Sequence, residues 1–323
     1  MSIVESMQEL EGKRIVDENG EFSDARSVLE GIVNDIVTEK AQKVQNQLEG
    51  YKRKNSKNYI PPEYGGLNRF IGCFRDSIKD IVPCLSPIEC GVLITILVKM
   101  KKGKDGLLIN GGKPMIQKDI EKHIGKGHTT TSKYLNKFTK LGILEEVENV
   151  KDRRKNNYRV NPKYHIMGKF PKLTEENRFV KLYKDKLEEM IDSLSLSELG
   201  FIYKALPICH HNTFKLVHNP TARYNPTAKE GSEEASFNVD LELFNREELA
   251  DYMNIDTKTI NNLVSSLSRK GLVKTTTAHR VTSYTLHPHI IHPKGTVENR
   301  YIQSICNDFE THRKDALRRS KKA

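Results

Sequence analysis

The chain has 323 residues, 37% of them hydrophobic and 29% charged, a length that suits two domains at ~100–200 residues each. Its longest apolar stretch, Gly91–Val98, falls well short of the ~18 residues of a membrane span, and Met1–Leu10 carries Glu5 and Glu9 with no apolar core, so neither an anchor nor a secretory leader is expected. Against 42 Asp and Glu stand 53 Lys and Arg, a net charge of +11 that suits a polyanionic partner, while Cys73, Cys84, Cys90, Cys209 and Cys306 are too irregularly spaced for a disulfide framework or a paired-cysteine zinc site; reduced thiols in a cytoplasm are the simplest expectation.

Residues 1–30 hold eight acids and three bases, and the chain is expected to be frayed to about Glu21. Ser23 can cap a helix over residues 24–48, with Val28/Leu29, Ile32/Val33, Ile36/Val37, Val44 and Leu48 on one stripe. Tyr51–Asn58 is basic and polar, and Pro61-Pro62 breaks the chain after it. Two covers for the stripe stay open: a second copy, which would make a homodimer through residues 24–48, or the protein's own body. Residues 1–58 therefore form an N-terminal section.

Downstream the sequence repeats itself. Leu85-Ser86-Pro87-Ile88-Glu89-Cys90-Gly91 resembles Leu194-Ser195-Leu196-Ser197-Glu198-Leu199-Gly200 at an offset of 109. Further on the offset is 129, pairing Ile120 with Leu249, Ile124 with Met253, Leu135 with Val264, Phe138 with Leu267, Gly142 with Gly271 and Ile143 with Leu272. The additional residues fall in 212–239, which reads as a long exposed loop. Domain boundaries follow at 59–172 and 195–297. Residues 173–194 are expected to form an amphipathic linker helix, carried by Phe179, Leu182/Tyr183, Leu187, Met190/Ile191 and Leu194. Residues 298–323 form a basic tail, with Arg313, Lys314, Arg318, Arg319, Lys321 and Lys322.

Each copy reads as an apolar helix, two short helices and a β-hairpin. In the first, Ser86–Met100 is the apolar helix and Lys104–Asn110 a short strand. Ile116–Ile124 and His128–Leu141 flank the turn Gly125-Lys126-Gly127, and Gly142 closes the second helix in a left-handed conformation. Strands 143–150 and 157–161 then pair. In the second copy Asn245 caps Arg246–Met253, Asn254-Ile255 is the turn and Asp256 caps Thr257–Lys270. Strands 272–276 and 280–286 flank the tip. Two helices, a tight turn and a hairpin make a winged helix-turn-helix. The expected class is mainly α with small β-wings: two such domains in tandem joined by a linker helix, plus an N-terminal helix.

The outward faces of the second short helices point to the ligand. One carries His128, Thr129, Thr130, Ser132, Lys133, Asn136, Lys137 and Lys140; the other carries Thr257, Lys258, Thr259, Asn261, Asn262, Ser265, Ser266, Arg269 and Lys270. Neither contains an acid, whereas solvated helices mix Glu with Lys for i,i+4 pairs. Asn262 suits bidentate pairing with adenine and Lys133 with guanine. The first hairpin tip brings Lys151, Arg153, Arg154 and Lys155 to phosphate or the minor groove, and the second brings His279 and Arg280. Double-stranded DNA is thus the expected partner, on a bipartite or repeated site.

Asn157-Tyr158-Arg159-Val160-Asn161-Pro162-Lys163-Tyr164-His165-Ile166-Met167-Gly168, with Gly142–Glu145 upstream, resembles the end of the winged-helix replication proteins of small Gram-positive plasmids. The second copy keeps only Tyr284-Thr285-Leu286-His287-Pro288. The resemblance covers roughly 67–170 and implies the fold and duplex DNA as ligand. It leaves two roles: a transcriptional regulator of a mobile element such as a phage or plasmid, or a replication initiator.

No catalytic motif emerges. Gly106–Gly111 is followed by Gly112 and Pro114 rather than the Lys and Ser or Thr of a phosphate-binding loop. His287, His289 and His292 leave the last strand among Pro288 and Pro293 and read as turn and surface histidines, without metal or the geometry of a nickase. The expectation is a non-enzymatic protein without cofactor.

Overall fold

The computed structural model describes residues 14–16, 22–24, 69–150, 152–168, 170, 178–222, 241–278, 281–293 and 299–320. The chain divides into two compact units, 1–65 and 66–323. In the first, β1 (Arg14–Val16) pairs antiparallel with β2 (Phe22–Asp24), so Ser23 lies in a strand and the stretch expected to be frayed contains a short hairpin. The remainder of the helix expected over 24–48, and with it the homodimer face, lies outside the described residues.

In the second unit, β3 (Phe70–Phe74) leads into α1 (Arg75–Ile81), a single 3-10 turn, and α2 (Pro87–Leu97). A hairpin, β4 (Ile109–Asn110) with β5 (Lys113–Pro114), precedes α3 (Gln117–Ile124) and α4 (His128–Lys140). β6 (Leu144–Glu148), β7 (Asn156–Val160) and β8 (His165–Ile166) complete the first copy. The second runs through β9 (Phe179–Tyr183), α5 (Lys184–Met190), another 3-10 turn, α6 (Leu196–Ala205), α7 (Arg246–Met253) and α8 (Thr257–Arg269). It closes with β10 (Val273–Ala278), β11 (Val281–Leu286) and β12 (Ile291–Pro293), and α9 (Asn299–Ser320) follows.

Among the described residues the class is mixed α/β, about 48% helix and 23% strand, and not mainly α with two tandem winged-helix domains joined by a linker helix. The physical reason lies in β3 and β9. These strands pair with each other at the centre of one antiparallel sheet, in the order β12-β9-β3-β8, so the two copies share a sheet. Phe179, Val180, Leu182 and Tyr183 are all buried. A strand flanked by strands and covered on both faces needs no polar alternation, and its apolar run then mimics helical spacing. The expected linker helix is therefore a strand, a two-turn helix and a 3-10 turn.

The repeat is longer than the motif around Leu85 suggests. At the same offset of 109, Phe70 matches Phe179, Arg75 matches Lys184, Asp76 matches Asp185 and Ile78 matches Leu187. The β3–β9 register centres on Gly72 opposite Lys181, which are themselves equivalent, and Phe70 opposite Tyr183 mirrors Phe74 opposite Phe179. Reciprocal contacts recur: Arg75 N–H donates to Arg178 O (3.0 Å) and Lys184 N–H to Arg69 O (2.9 Å). The buried Arg75 guanidinium donates to Cys209 O (2.9 Å), while the buried Lys184 ammonium donates to Met100 O (2.7 Å). The two copies are thus related by an approximate two-fold axis.

That axis also governs the packing of α2 on α6. A Cβ on Gly91 would lie 1.8 Å from Leu196 O, and one on Gly200 would lie 1.8 Å from Pro87 O, two contacts that exchange under the offset. Glycine is required here for close approach of two backbones. The surrounding core includes Ile78, Leu85, Val92, Leu93, Ile96, Leu97, Leu199, Phe201, Ile202 and Tyr203.

Two further expectations change. Within 212–239, Phe214, Leu216 and Val217 are buried, and Leu216 N–H donates to Tyr284 O (2.8 Å), as Leu108 N–H does to Tyr158 O (3.0 Å). The described start of the insertion is therefore part of the fold rather than an exposed loop. Residues 299–320 of the basic tail form a helix, α9, docked through Ile302, Ile305 and Phe309. Its apolar residues recur at i, i+3 and i+7, a signal present in the sequence but masked by the charge around it.

Candidate nucleic-acid interface

α4 and α8 are each built as an amphipathic wedge. α4 buries Thr131, Leu135 and Phe138, and α8 buries Ile260, Leu263, Val264, Leu267 and Ser268. The turns before them are equivalent: Gly125 (φ 63°) closes α3 and Asn254 (φ 55°) closes α7, both left-handed, a conformation that Gly adopts freely and Asn tolerates. Asp256 Oδ1 accepts from Thr259 N–H (2.8 Å), capping α8 as its sequence predicts.

Outward, α4 exposes His128, Thr129, Thr130, Lys133 and Asn136, with Ser132 half-buried. α8 exposes Thr257, Lys258, Asn261, Asn262, Ser265 and Arg269. Thr259 is half-buried, and its hydroxyl donates to Asp256 Oδ2 (2.6 Å). Ser132 Oγ accepts from Gln117 Nε2 (2.6 Å), and His128 Nδ1 lies 2.8 Å from Glu121 Oε1, so these two side chains lean towards α3. Neither helix contains a carboxylate. Lys133 and Asn262 occupy the same position in the two copies, as do Asn136 and Ser265.

Lys137 departs from the expected set. Its ammonium donates to both carboxylate oxygens of Glu89 (2.8 and 2.7 Å) and ties α4 to the start of α2. Glu198 does the same in the second copy, accepting from Lys270 (2.7 Å to each oxygen) and from Ser266 Oγ (2.7 Å). Both glutamates also complete capping boxes, with Ser86 and Ser195. Burial pushes each carboxyl pKa up, but the lysine and backbone hydrogen bonds outweigh it and hold both below the usual carboxylate range. Neither composition nor the pattern of outward residues reveals these two anchors. The Ser-x-x-Glu spacing was their one visible signal, and it indicates a helix start rather than a clamp on another helix.

The first hairpin tip projects Arg153 and Arg154, 86% and 92% exposed, together with the exposed Lys155. Lys155 pairs with Asp152 at 2.7 Å and Arg153 with Glu148 at 3.2 Å. Exposed pairs of this kind are weak and screened by solvent, so a phosphate can replace them. β6 adds Glu145, Glu146 and Glu148 below the tip, confining the positive charge to its end. Lys151, His279 and Arg280 lie outside the described residues.

No protein-family model, curated protein or solved structure matches this chain. The chemistry of the two faces therefore carries the functional reading alone. Asn161 donates from Nδ2 to Gly142 O (2.9 Å) and accepts from Lys163 N–H (2.9 Å), while Tyr158 and Val160 are buried. These residues fasten the hairpin to the end of α4. No helix among the described residues is long and apolar enough to cross a membrane.

Proposed function

We propose that this protein binds double-stranded DNA sequence-specifically and regulates transcription on a mobile element such as a phage or plasmid. The observation that carries the reading is the pair of helices, α4 and α8, that contain no carboxylate of their own and are held at equivalent positions about an approximate two-fold axis. α4 and α8 enter the major groove, and the Arg153–Arg154 tip takes phosphate. A two-fold relation between reading elements matches inverted half-sites. Because Lys133 stands where the other copy has Asn262, and Asn136 where it has Ser265, the half-sites differ at the bases these residues meet. Lys133 to guanine and Asn262 to adenine are the pairings that suit their donors and acceptors.

The resemblance of 157–168 to plasmid replication proteins supports a second reading, an initiator bound at an origin. Opening of a supercoiled origin fragment would mark the initiator; a regulator occludes its site without melting it. The basic test is salt titration of binding to a mixed-sequence duplex. Neutralising each phosphate lowers log K by ~0.9 per log unit of salt, so a duplex-binding protein loses affinity steeply. A flat response, or equal binding to an uncharged polymer, would remove DNA as the ligand.

A further inference from the structure

His287 and His289 occupy the turn after β11, where the first copy has Asn161 and Lys163, so the turn itself does not require histidine. The fold brings Cys306 of α9 to this pair. Cys306 Sγ lies 3.6 Å from His289 Nε2, and one ligand atom from each of the three residues lies within 4.8 Å of the other two. The turn is rigid: His289 N–H donates to His287 Nδ1 (3.0 Å), His287 N–H to Leu272 O (3.0 Å), and the His287 ring packs on Phe309 at 4.7 Å between centroids. All three side chains are half-buried.

Tetrahedral zinc places sulfur at about 2.3 Å and imidazole nitrogen at about 2.0–2.1 Å, which sets sulfur and nitrogen about 3.6 Å apart. The separation between Cys306 and His289 is therefore already the one the ion would impose. One thiolate with two imidazoles selects a borderline-soft ion over magnesium or calcium. We propose that His287, His289 and Cys306 form a zinc-binding site that fastens α9 to the second copy, leaving a fourth position for water.

Burial favours the neutral form of every ligand: it pushes His287 down to about 3, lowers His289 and pushes the Cys306 thiol up to about 11. Because His287 Nδ1 accepts from His289 N–H, the neutral His287 ring carries its proton on Nε2; ligation through Nε2 moves that proton to Nδ1 and gives up this hydrogen bond, and the proton released on uptake of the ion comes from the thiol. The positive Lys186 ammonium lies near both rings and is itself paired with Glu189 (2.9 Å). The consequence reaches α8. α9 runs beside it, with Lys274 bonded to Asp308 (2.8 Å), and Val264, Ser265, Ser268 and Arg269 share a groove with His312, Asp315 and Arg319. An ion at the start of α9 would stiffen that contact.

The test uses the full-length, reduced, chelator-treated protein titrated with Co2+. The expected result is one equivalent bound per chain, with tetrahedral d–d bands and a thiolate-to-cobalt charge-transfer band, both displaced by Zn2+. Cys306→Ser should melt like the parent in chelator, lose the charge-transfer band and gain no thermal stability from Zn2+. His289→Asn keeps the thiol and should weaken the ion by more than about tenfold; it decides the question should Cys306→Ser fail to fold. Absence of the charge-transfer band would reduce the cluster to a thiol–imidazole hydrogen bond. A band that survives Cys306→Ser would place the ion on another thiol, such as the exposed Cys84. An unchanged affinity in His289→Asn would likewise overturn the site.

Discussion

Replacing Gly91 with alanine tests the two-fold core with an effect of unambiguous sign. In an unconstrained helix interior, Gly→Ala stabilises by ~0.5–1 kcal/mol. Here the new Cβ would lie 1.8 Å from Leu196 O and 2.6 Å from its carbonyl carbon. These are backbone atoms, so no rotamer change relieves the clash, and α2 must move away from α6 by more than an ångström. Overpacking typically costs 1–3 kcal/mol, and a rigid backbone clash belongs at the top of that range, about 3 kcal/mol. At ~2–4 °C per kcal/mol this lowers the thermal midpoint by roughly 6–12 °C. Gly200→Ala should lose a similar amount, because its Cβ meets Pro87 O at the equivalent 1.8 Å. Thermal and urea unfolding followed by circular dichroism would measure both. A neutral or stabilised Gly91→Ala would refute the close crossing of α2 and α6, and with it the fixed relation between α4 and α8.

The remaining predictions concern the interface and its anchors. Lys133→Ala and Asn262→Ala should each lose ~1–3 kcal/mol at one base pair and relax selectivity there; equal losses on specific and random duplexes would rule out base reading. Exchanging the two as Lys133→Asn with Asn262→Lys should exchange the preferences of the half-sites, measurable by competition with mutated duplexes. Arg153→Ala with Arg154→Ala should weaken all duplexes alike and flatten the salt slope by up to ~0.9 per lost phosphate contact, so an unaltered slope would separate the tip from DNA. Glu198→Ala should destabilise by ~1–2 kcal/mol, since it leaves Ser266 without its acceptor and Lys270 with only Ser193 O (2.8 Å). The depressed pKa of Glu198 sets the pH sense: its contribution is complete above the ordinary carboxylate range and disappears as pH falls through the depressed value. An identical acid-unfolding profile for the parent and Glu198→Ala would contradict this.

The local elements were largely legible in the sequence because short-range rules fix them. Asn245 and Asp256 cap where their side chains predict, Gly142 (φ 69°) and Gly271 (φ 74°) are left-handed, and both hairpins pair close to the predicted positions. The class was not legible, because β3 and β9 acquire their partners only from the opposite copy. Phe70–Phe74 is too short to stand out, and Phe179–Tyr183 mimics a helix once it is covered on both faces. α4 and α8 stood out through their lack of acids, a compositional signal. Glu89 and Glu198 were not, because their clamps on Lys137 and Lys270 span 48 and 72 residues. The His287–His289–Cys306 cluster needed the docking of α9, which the charge of the chain end concealed.

The most direct test of the central claim is selection of bound sequences from a fully randomised duplex pool by the purified full-length protein. The account predicts enrichment of an imperfect inverted repeat. One half-site should lose its base preference with Lys133→Ala and the other with Asn262→Ala. A pool that remains random after repeated rounds, or enriches a motif indifferent to both substitutions, would contradict it.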